Sequence, residues 1–160
     1  MEPDRRRMVP AWMVGARLAF GLLLLADAVL EWQPSTYQVF DSIIYSNASV
    51  SPEPLRGLLV TVAQLVSHQP AVANGVVAAL ETILAVSVLL GLWTGATLLL
   101  SLPWFLGIWI IGQGAGLPFA QGTTDLNSGI PYLLVATLLW FGRSWERLSI
   151  WEWVHADITL

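Results

Sequence analysis

Four ionisable residues lie within or at the end of long apolar stretches, where a charged side chain is costly. Arg17, Asp27 and Glu31 belong to one stretch, and Glu81 lies about ten residues into another. At the centre of a membrane helix each such charge costs at least about 2.5 kcal/mol unless it is paired or hydrated. At about 100° per residue, the first three share one helix face. That face is predicted to turn toward a protein interior or a wet crevice.

Two interpretations of these residues follow. In the first, Arg17, Asp27 and Glu81 line a polar pocket within the membrane, which carries protons or binds the head group of a quinone. In the second, Arg17 extends to the cytoplasmic interface, a neighbour's hydrogen bond holds Glu81 neutral, and Asp27 reaches the outer interface. The sequence leaves both open.

A second candidate site lies in a polar segment between residues 113 and 128. Its residues Asp125 and Asn127, with Tyr132 just beyond, are predicted to hydrogen-bond a small polar or anionic substrate. The alternative is that Asn127 and Ser128 cap the helix that follows, since both residue types are favoured at that position.

Cofactor motifs are scarce. The absence of cysteine excludes disulfides, thiolate metal sites and cysteine-ligated iron–sulfur clusters. The two histidines, His68 and His155, are predicted on opposite sides of the membrane, which excludes a haem held by both. There is no carboxylate–histidine cluster for a metal and no dinucleotide-binding or phosphate-binding loop. The sequence thus contains no haem, flavin, iron–sulfur or metal motif, and a quinone held by the intramembrane polar residues is a possible cofactor.

The amino-acid composition indicates the class of protein that holds these candidate site residues. Of 160 residues, 56% are hydrophobic and 11% charged, and nine are tryptophan. Soluble domains have about 45–50% apolar and about 25% charged residues. So few basic residues, with a net charge of −4, exclude a nucleic-acid binder, and the high apolar content excludes a disordered chain. The chain is predicted to be an integral membrane protein.

Four stretches have the roughly 20 apolar residues that a membrane span needs. They cover residues 9–32, 71–93, 94–111 and 128–145. The first is too long for a signal peptide and lacks a cleavage site. Residues 54–68 carry one apolar stripe at helical spacing and predict an interfacial helix, with a shorter amphipathic turn near Tyr37. The prediction is an all-α, polytopic membrane protein of one domain, a four-transmembrane-helix bundle with an interfacial helix in its first outer loop.

The arginines predict the orientation of this bundle. Six of them (Arg5, Arg6, Arg7, Arg17, Arg143 and Arg147) fall on one predicted side, and Arg56 alone falls on the other. Positively charged residues are retained on the cytoplasmic side. The chain is therefore predicted to be a multi-pass protein of the inner (plasma) membrane, with both termini in the cytoplasm.

Several segments resemble the DoxX/DoxD family of small four-helix membrane proteins. They are residues 16–23 (ARLAFGLL), 80–85 (LETILA), 90–94 (LGLWT), 124–129 (TDLNSG), 131–134 (PYLL) and 141–150 (FGRSWERLSI). Their order and spacing carry the resemblance, which covers most of residues 12–152. Two positions depart from the family pattern: residues 28–32 lack its usual basic residue, and Trp151-Glu152 replaces an acidic one.

The resemblance implies a small membrane subunit of a respiratory or redox assembly. DoxD-type members form the membrane part of a thiosulfate:quinone oxidoreductase, and DoxX-type members belong to assemblies that handle thiol and oxidative stress. The first functional hypothesis is thus a quinone-linked oxidoreductase subunit. The alternative is a membrane anchor or assembly subunit with no redox chemistry of its own. In both, the partners are the lipid bilayer and other membrane or periplasmic subunits, not nucleic acid.

Overall fold

The computed structural model describes residues 10–116 and 128–146, and every regular element within them is helical. The elements are α1 (Ala11–Glu31), α2 (Pro34–Val50), α3 (Leu55–Val66), α4 (Pro70–Leu90), α5 (Thr94–Gly107), a π-helical segment (Ile108–Gly112), α6 (Gly129–Phe141) and a 3-10 turn (Ser144–Glu146). The prediction of an all-helical chain is confirmed for these residues.

Three helices are long and apolar enough to cross a membrane. They are α1, α4 and the continuous stretch Thr94–Gly112 formed by α5 and the π-helical segment. Each of them coincides closely with a predicted span. The fourth predicted span contains α6, which has 13 residues and reaches about 20 Å at 1.5 Å per residue. The structure thus supports the membrane assignment, with three helices of spanning length in its described part.

Proline and glycine mark the ends of these helices. Pro34 and Pro70 stand in the first turns of α2 and α4, where the missing N–H costs no hydrogen bond. Gly91 ends α4 in the left-handed conformation with φ 72°, the usual role of glycine after a helix. Residues 91–93 form a tight turn into α5, and the end of the molecule that holds this turn is called the turn end below.

The four helices that lie in predicted spans pack as two pairs, α1 with α4 and α5 with α6. Glycine allows close approach within each pair. A Cβ on Gly21 of α1 would lie 2.7 Å from the Leu89 side chain of α4. A Cβ on Gly129 of α6 would lie 2.9 Å from the Phe105 carbonyl of α5. Both distances are shorter than any ordinary van der Waals contact, so a side chain at either position would require the neighbouring atoms to move.

One apolar core joins the two pairs. Its buried members are Phe20, Leu24, Ala85, Val88, Leu98, Phe105, Ala136 and Leu139. The rings of Phe20, Phe105 and Tyr132 meet edge to face, with centroids 5.6–6.0 Å apart. This geometry is the favourable one for aromatic rings. It fixes the Tyr132 ring between α1 and α5.

Helices α2 and α3 form a hairpin at the end opposite the turn, called the hairpin end below. They enclose a second small core of Ile44, Ala48, Leu59 and Ala63. Helix α3 matches the predicted interfacial helix, but the predicted short turn near Tyr37 is a 17-residue helix, α2. Its serine, threonine and asparagine content weakens the sequence signal. Packing against α3 and α4 stabilises it instead.

Candidate functional site

A cavity of about 730 Å³ lies between the two helix pairs and beneath the hairpin. Each of the six α-helices contributes to its wall, which is mostly aliphatic and aromatic. The polar side chains on the wall are those of Asp27, Glu31, Thr36, Glu81, Gln113, Ser128 and Tyr132, together with the indole of Trp104. Pockets of this size with few polar groups are typical of small-molecule sites.

The acids occupy the middle and the hairpin end of the membrane-length helices. Glu81 lies near the centre of the 21-residue helix α4. Asp27 and Glu31 occupy the last two turns of α1, one turn apart on the same face. Because α1 and α4 are paired, the three carboxyls come to the same wall of the cavity.

Tyr132 positions Asp27. Its hydroxyl donates a hydrogen bond of 2.5 Å to Asp27 Oδ2. The edge-to-face contacts with Phe20 and Phe105 hold the tyrosine ring in place. One oxygen of Asp27 is therefore occupied by a fixed donor from α6.

Among the described residues, no side chain donates to Glu31 or Glu81 in the way that Tyr132 donates to Asp27. The Oε2 atoms of both are buried and make no hydrogen bond within the described residues. Glu31 and Asp27 lie close enough to Glu81 for their charges to interact with it. No arginine or histidine is among the described residues that line the cavity. If all three carboxyls ionised together, like charges would lie close to one another in a partly buried site, so this wall favours a proton or a hydrogen-bonding ligand.

Arg17 lies elsewhere. It is 1% exposed, and its Nη1 donates a 3.1 Å hydrogen bond to the Ser144 carbonyl at the turn end. Arg17 is not among the residues that line the cavity. Of the three residues predicted to share a pocket, the structure brings Asp27 and Glu81 together and places Arg17 apart. Ten residues of α1 separate Arg17 from Asp27, which is about 15 Å along the axis.

Of the second predicted site, Asp125 and Asn127 lie outside the described residues. Tyr132 is described, and its hydroxyl points to Asp27 on the cavity wall. The proposed capping role of Ser128 is wrong for its side chain, which makes no capping hydrogen bond. Gln113 does this instead, because its Oε1 accepts a 3.1 Å hydrogen bond from the Gly129 N–H.

Two features of the cavity escaped the sequence analysis. The π-helical segment brings Ile108, Ile111 and Gly112 to the wall, and such segments recur at functional sites. No residue pattern in the sequence predicts this π-helical segment. Trp104 also lines the cavity, and its indole N–H is buried with no acceptor among the described residues. Its position next to Pro103, inside a predicted span, was the available signal.

The mouth of the cavity is apolar. Among the residues that line it, Leu30 is 56% and Ile43 is 38% exposed, and Pro103 is also exposed. Pro103 lies near the middle of the 19-residue stretch Thr94–Gly112. If this stretch crosses a bilayer, that part of the mouth opens to the lipid tails rather than to water.

Within the described residues, no group of three or more His, Cys, Asp or Glu side chains is arranged to hold a metal ion. No family model, curated protein or solved structure matches this chain. The resemblance to the DoxX/DoxD family therefore stays a prediction from the sequence motifs, and the cavity itself is the basis for a functional proposal.

Proposed function

We propose that this chain is the quinone-binding membrane subunit of a bacterial-type respiratory or redox complex. The observation that carries the proposal is the cavity of about 730 Å³, whose mouth is apolar and whose wall bears Asp27, Glu81 and Tyr132. A ligand that fits it must be soluble in lipid and have a small hydrogen-bonding head. Quinones have both properties.

The carboxyls suit the proton chemistry of a quinone. Reduction of a quinone to its hydroquinone takes up two electrons and two protons. Carboxyl groups within hydrogen-bond reach of the head can give and receive those protons, which is ordinary acid–base chemistry for Asp and Glu. The chain's own contribution is thus to bind the head and to exchange its protons.

The electrons come from a partner in this proposal. The sequence has no cysteine and no flavin, haem or iron–sulfur motif, so the chain serves as the quinone-facing part of a larger assembly. The DoxD-type resemblance suggests a periplasmic donor such as thiosulfate for that assembly.

The proposal includes the membrane arrangement predicted from the sequence. Helix α6 would complete a fourth crossing, which makes a four-helix bundle with the α2–α3 hairpin in the outer interface. The turn end would face the cytoplasm with both termini, because six of the seven arginines belong to that side.

Quinone retention by matched variants tests this proposal. Glu81→Gln and Asp27→Asn should each lower the quinone that co-purifies per chain several-fold, because each alters a hydrogen-bonding group on the wall. Asp41→Asn makes the same chemical change on α2, outside the set of residues that line the cavity, and should retain quinone like the unaltered protein. Retention equal in all three variants would show that the quinone is bound elsewhere.

The rival function, a non-catalytic anchor or assembly subunit, gives a different result. It predicts that the purified chain holds no quinone and that a stoichiometric partner accompanies it from native membranes. Finding a partner together with bound quinone supports the redox-subunit proposal, whereas a partner without quinone supports the anchor.

A further inference from the structure

One buried stripe of α4 divides into a polar half and an apolar half. Its buried residues, at helical spacing, are Asn74, Ala78, Ala85 and Val88, and Glu81 lies on the same stripe. Toward the hairpin end the stripe carries the amide of Asn74 and the carboxyl of Glu81, whereas toward the turn end it carries only alanine and valine. Helix α1, which packs on α4, is divided in the same way, because both of its acids, Asp27 and Glu31, lie near the hairpin end.

The apolar half fills the space on the turn side of Glu81. Its buried residues, none more than 4% exposed, are Phe20, Leu24, Ala85 and Val88. It extends over about 10 Å along α4. The buried hydroxyl of Ser101 on this side donates to the Leu98 carbonyl of its own helix at 2.8 Å. A buried water needs about two to four polar partners, which this half does not offer, so its described residues give protons no path from the turn end to Glu81.

The polar half reaches water at the hairpin end. Glu31 is the last residue of α1 and is partly buried, and residues 32–34, which follow it, are exposed. Asn74 Nδ2 donates a 2.9 Å hydrogen bond to the Glu31 carbonyl. The Glu31 side chain lines the cavity and lies close enough to Glu81 for their charges to interact. Glu31 is thus placed between an exposed turn and the inner acid.

Buried acceptors in this half lack hydrogen atoms. Asn74 is 0% exposed, and its Oδ1 has no hydrogen-bond partner among the described residues. The same holds for Glu31 Oε2 and for Glu81 Oε2. Each such acceptor costs about 1–3 kcal/mol when it is left without a donor. A proton on a carboxyl, or a water molecule between two acceptors, supplies the missing hydrogens.

We infer that Glu31 is the proton entry of the cavity, which passes protons between water at the hairpin end and Glu81, while none pass from the turn end. In each transfer the O–H bond of the Glu31 carboxyl breaks and its proton goes to the Glu81 carboxylate, directly or over one water. Glu31 then takes a new proton from water. The reverse sequence returns a proton from Glu81 to the hairpin end.

This inference rests on the proposed function, for which it supplies the route of the quinone's protons. In the predicted orientation the hairpin end is the outer side of the membrane. Electrons from a periplasmic donor and protons through Glu31 would then reach the quinone from the same side. Quinone reduction at this site would therefore move no net charge across the membrane.

The exchange of the Glu81 carboxyl proton for deuterium tests the route. The full-length protein in nanodiscs is moved from H₂O to D₂O and followed by infrared spectroscopy, at a pD low enough for Glu81 to be protonated. The C=O stretch of a protonated carboxyl shifts to lower frequency on deuteration, and Glu81→Gln identifies the Glu81 band by removing it. Glu31→Gln keeps the size of the side chain but has no carboxyl proton to pass on. Deuterium should therefore reach Glu81 at least about tenfold more slowly in this variant.

Three further variants control the measurement. Glu53→Gln makes the same chemical change at an exposed position of the hairpin end and should leave the exchange rate unchanged. Ser101→Ala removes the buried hydroxyl on the turn side and should also leave it unchanged. Glu31→Asp keeps a carboxyl at the proton entry and should retain most of the rate, which a purely structural role of Glu31 does not predict.

The outcomes separate this inference from the function on which it rests. Equal exchange in the unaltered protein and in Glu31→Gln overturns the proton entry. Slower exchange in Ser101→Ala also overturns it, and this variant can be measured whether or not Glu31→Gln gives a monodisperse protein. Both results leave the quinone site standing, because neither concerns what the cavity binds. Slow exchange in Glu31→Gln, in a protein whose unaltered form binds no quinone, supports the proton entry and overturns the proposed function.

Discussion

Tyr132 and Asp27 are 105 residues apart in the sequence and are joined by a hydrogen bond. This bond fixes the position of the Asp27 carboxyl on the cavity wall. The phenol ring packs on Phe20 and Phe105 independently of its hydroxyl. A substitution that removes only the Tyr132 hydroxyl therefore removes the hydrogen bond to Asp27 and keeps the ring contacts.

Tyr132→Phe should lower the free energy of unfolding by about 1–3 kcal/mol, because Asp27 loses its partner in a partly buried place. Thermal unfolding in detergent measures the change. Tyr45→Phe is the control, since Tyr45 is exposed on α2 and its substitution should leave the melting temperature nearly unchanged. An equal effect of the two substitutions would mean that the hydroxyl contact contributes nothing.

The residue scale also shows how far helical geometry carries a prediction. The angular argument that put Arg17, Asp27 and Glu31 on one face could identify which acids face the interior. It could not show which of these residues lie at the same height along the helix axis, because residues that share a face can still be far apart along that axis. Arg17 therefore reached the Ser144 carbonyl at the turn end rather than the carboxyls. The pairing of Glu81 with Asp27 needed the contact between α1 and α4, which no single helix encodes.

At the scale of elements, the close approach of α1 and α4 depends on a glycine. Gly21→Ala should destabilise the protein by about 1–3 kcal/mol, because its Cβ would meet Leu89 at 2.7 Å. Gly15→Ala, on the same helix, meets nothing within 4 Å and should be neutral or slightly stabilising. Unfolding in detergent compares them, and equal stability of the two variants would argue against tight α1–α4 packing.

The hairpin is held over the cavity by polar contacts to the segment after α5. Asn47 Nδ2 donates a 2.6 Å hydrogen bond to the Gly112 carbonyl, and Ser51 Oγ lies 3.3 Å from the Gly114 carbonyl. Asn47→Ala should speed backbone hydrogen exchange in α2 and α3, because the hairpin loses the shorter of its two hydrogen bonds to this segment.

The matched control is Ser49→Ala, which removes only a bond to the Ser46 carbonyl of the same helix. Exchange in α2 and α3 should then stay close to that of the unaltered protein. Unchanged exchange in Asn47→Ala as well would mean that apolar packing alone holds the hairpin.

The sequence predicted the helices with a clear apolar pattern well and the elements with a weak one poorly. Spans α1 and α4 followed from length and hydropathy, and α3 from its apolar stripe. Helix α2 and the π-helical segment gave no comparable signal, because tertiary packing stabilises the one and local hydrogen bonding distorts the other. The cavity wall is built in part from these two elements, so its shape was not available from the sequence.

At the scale of the whole molecule, the uneven distribution of arginines predicts the orientation. The chain has no cysteine, so single-cysteine variants report position without background. Ser67→Cys, at the hairpin end, should react with a membrane-impermeant maleimide on intact spheroplasts. Trp93→Cys, in the turn at the opposite end, should react only after the membrane is opened. The reverse pattern would contradict the proposed topology.

The most direct measurement of the proposed function is the quinone content of the protein itself. The full-length chain is purified from native membranes in a mild detergent, extracted with organic solvent, and analysed for quinones against the protein concentration. A cavity that binds a quinone head should yield about one quinone per chain, well above the amount carried by an unrelated membrane protein purified in parallel. A quinone content equal to that of the unrelated protein would contradict the proposal.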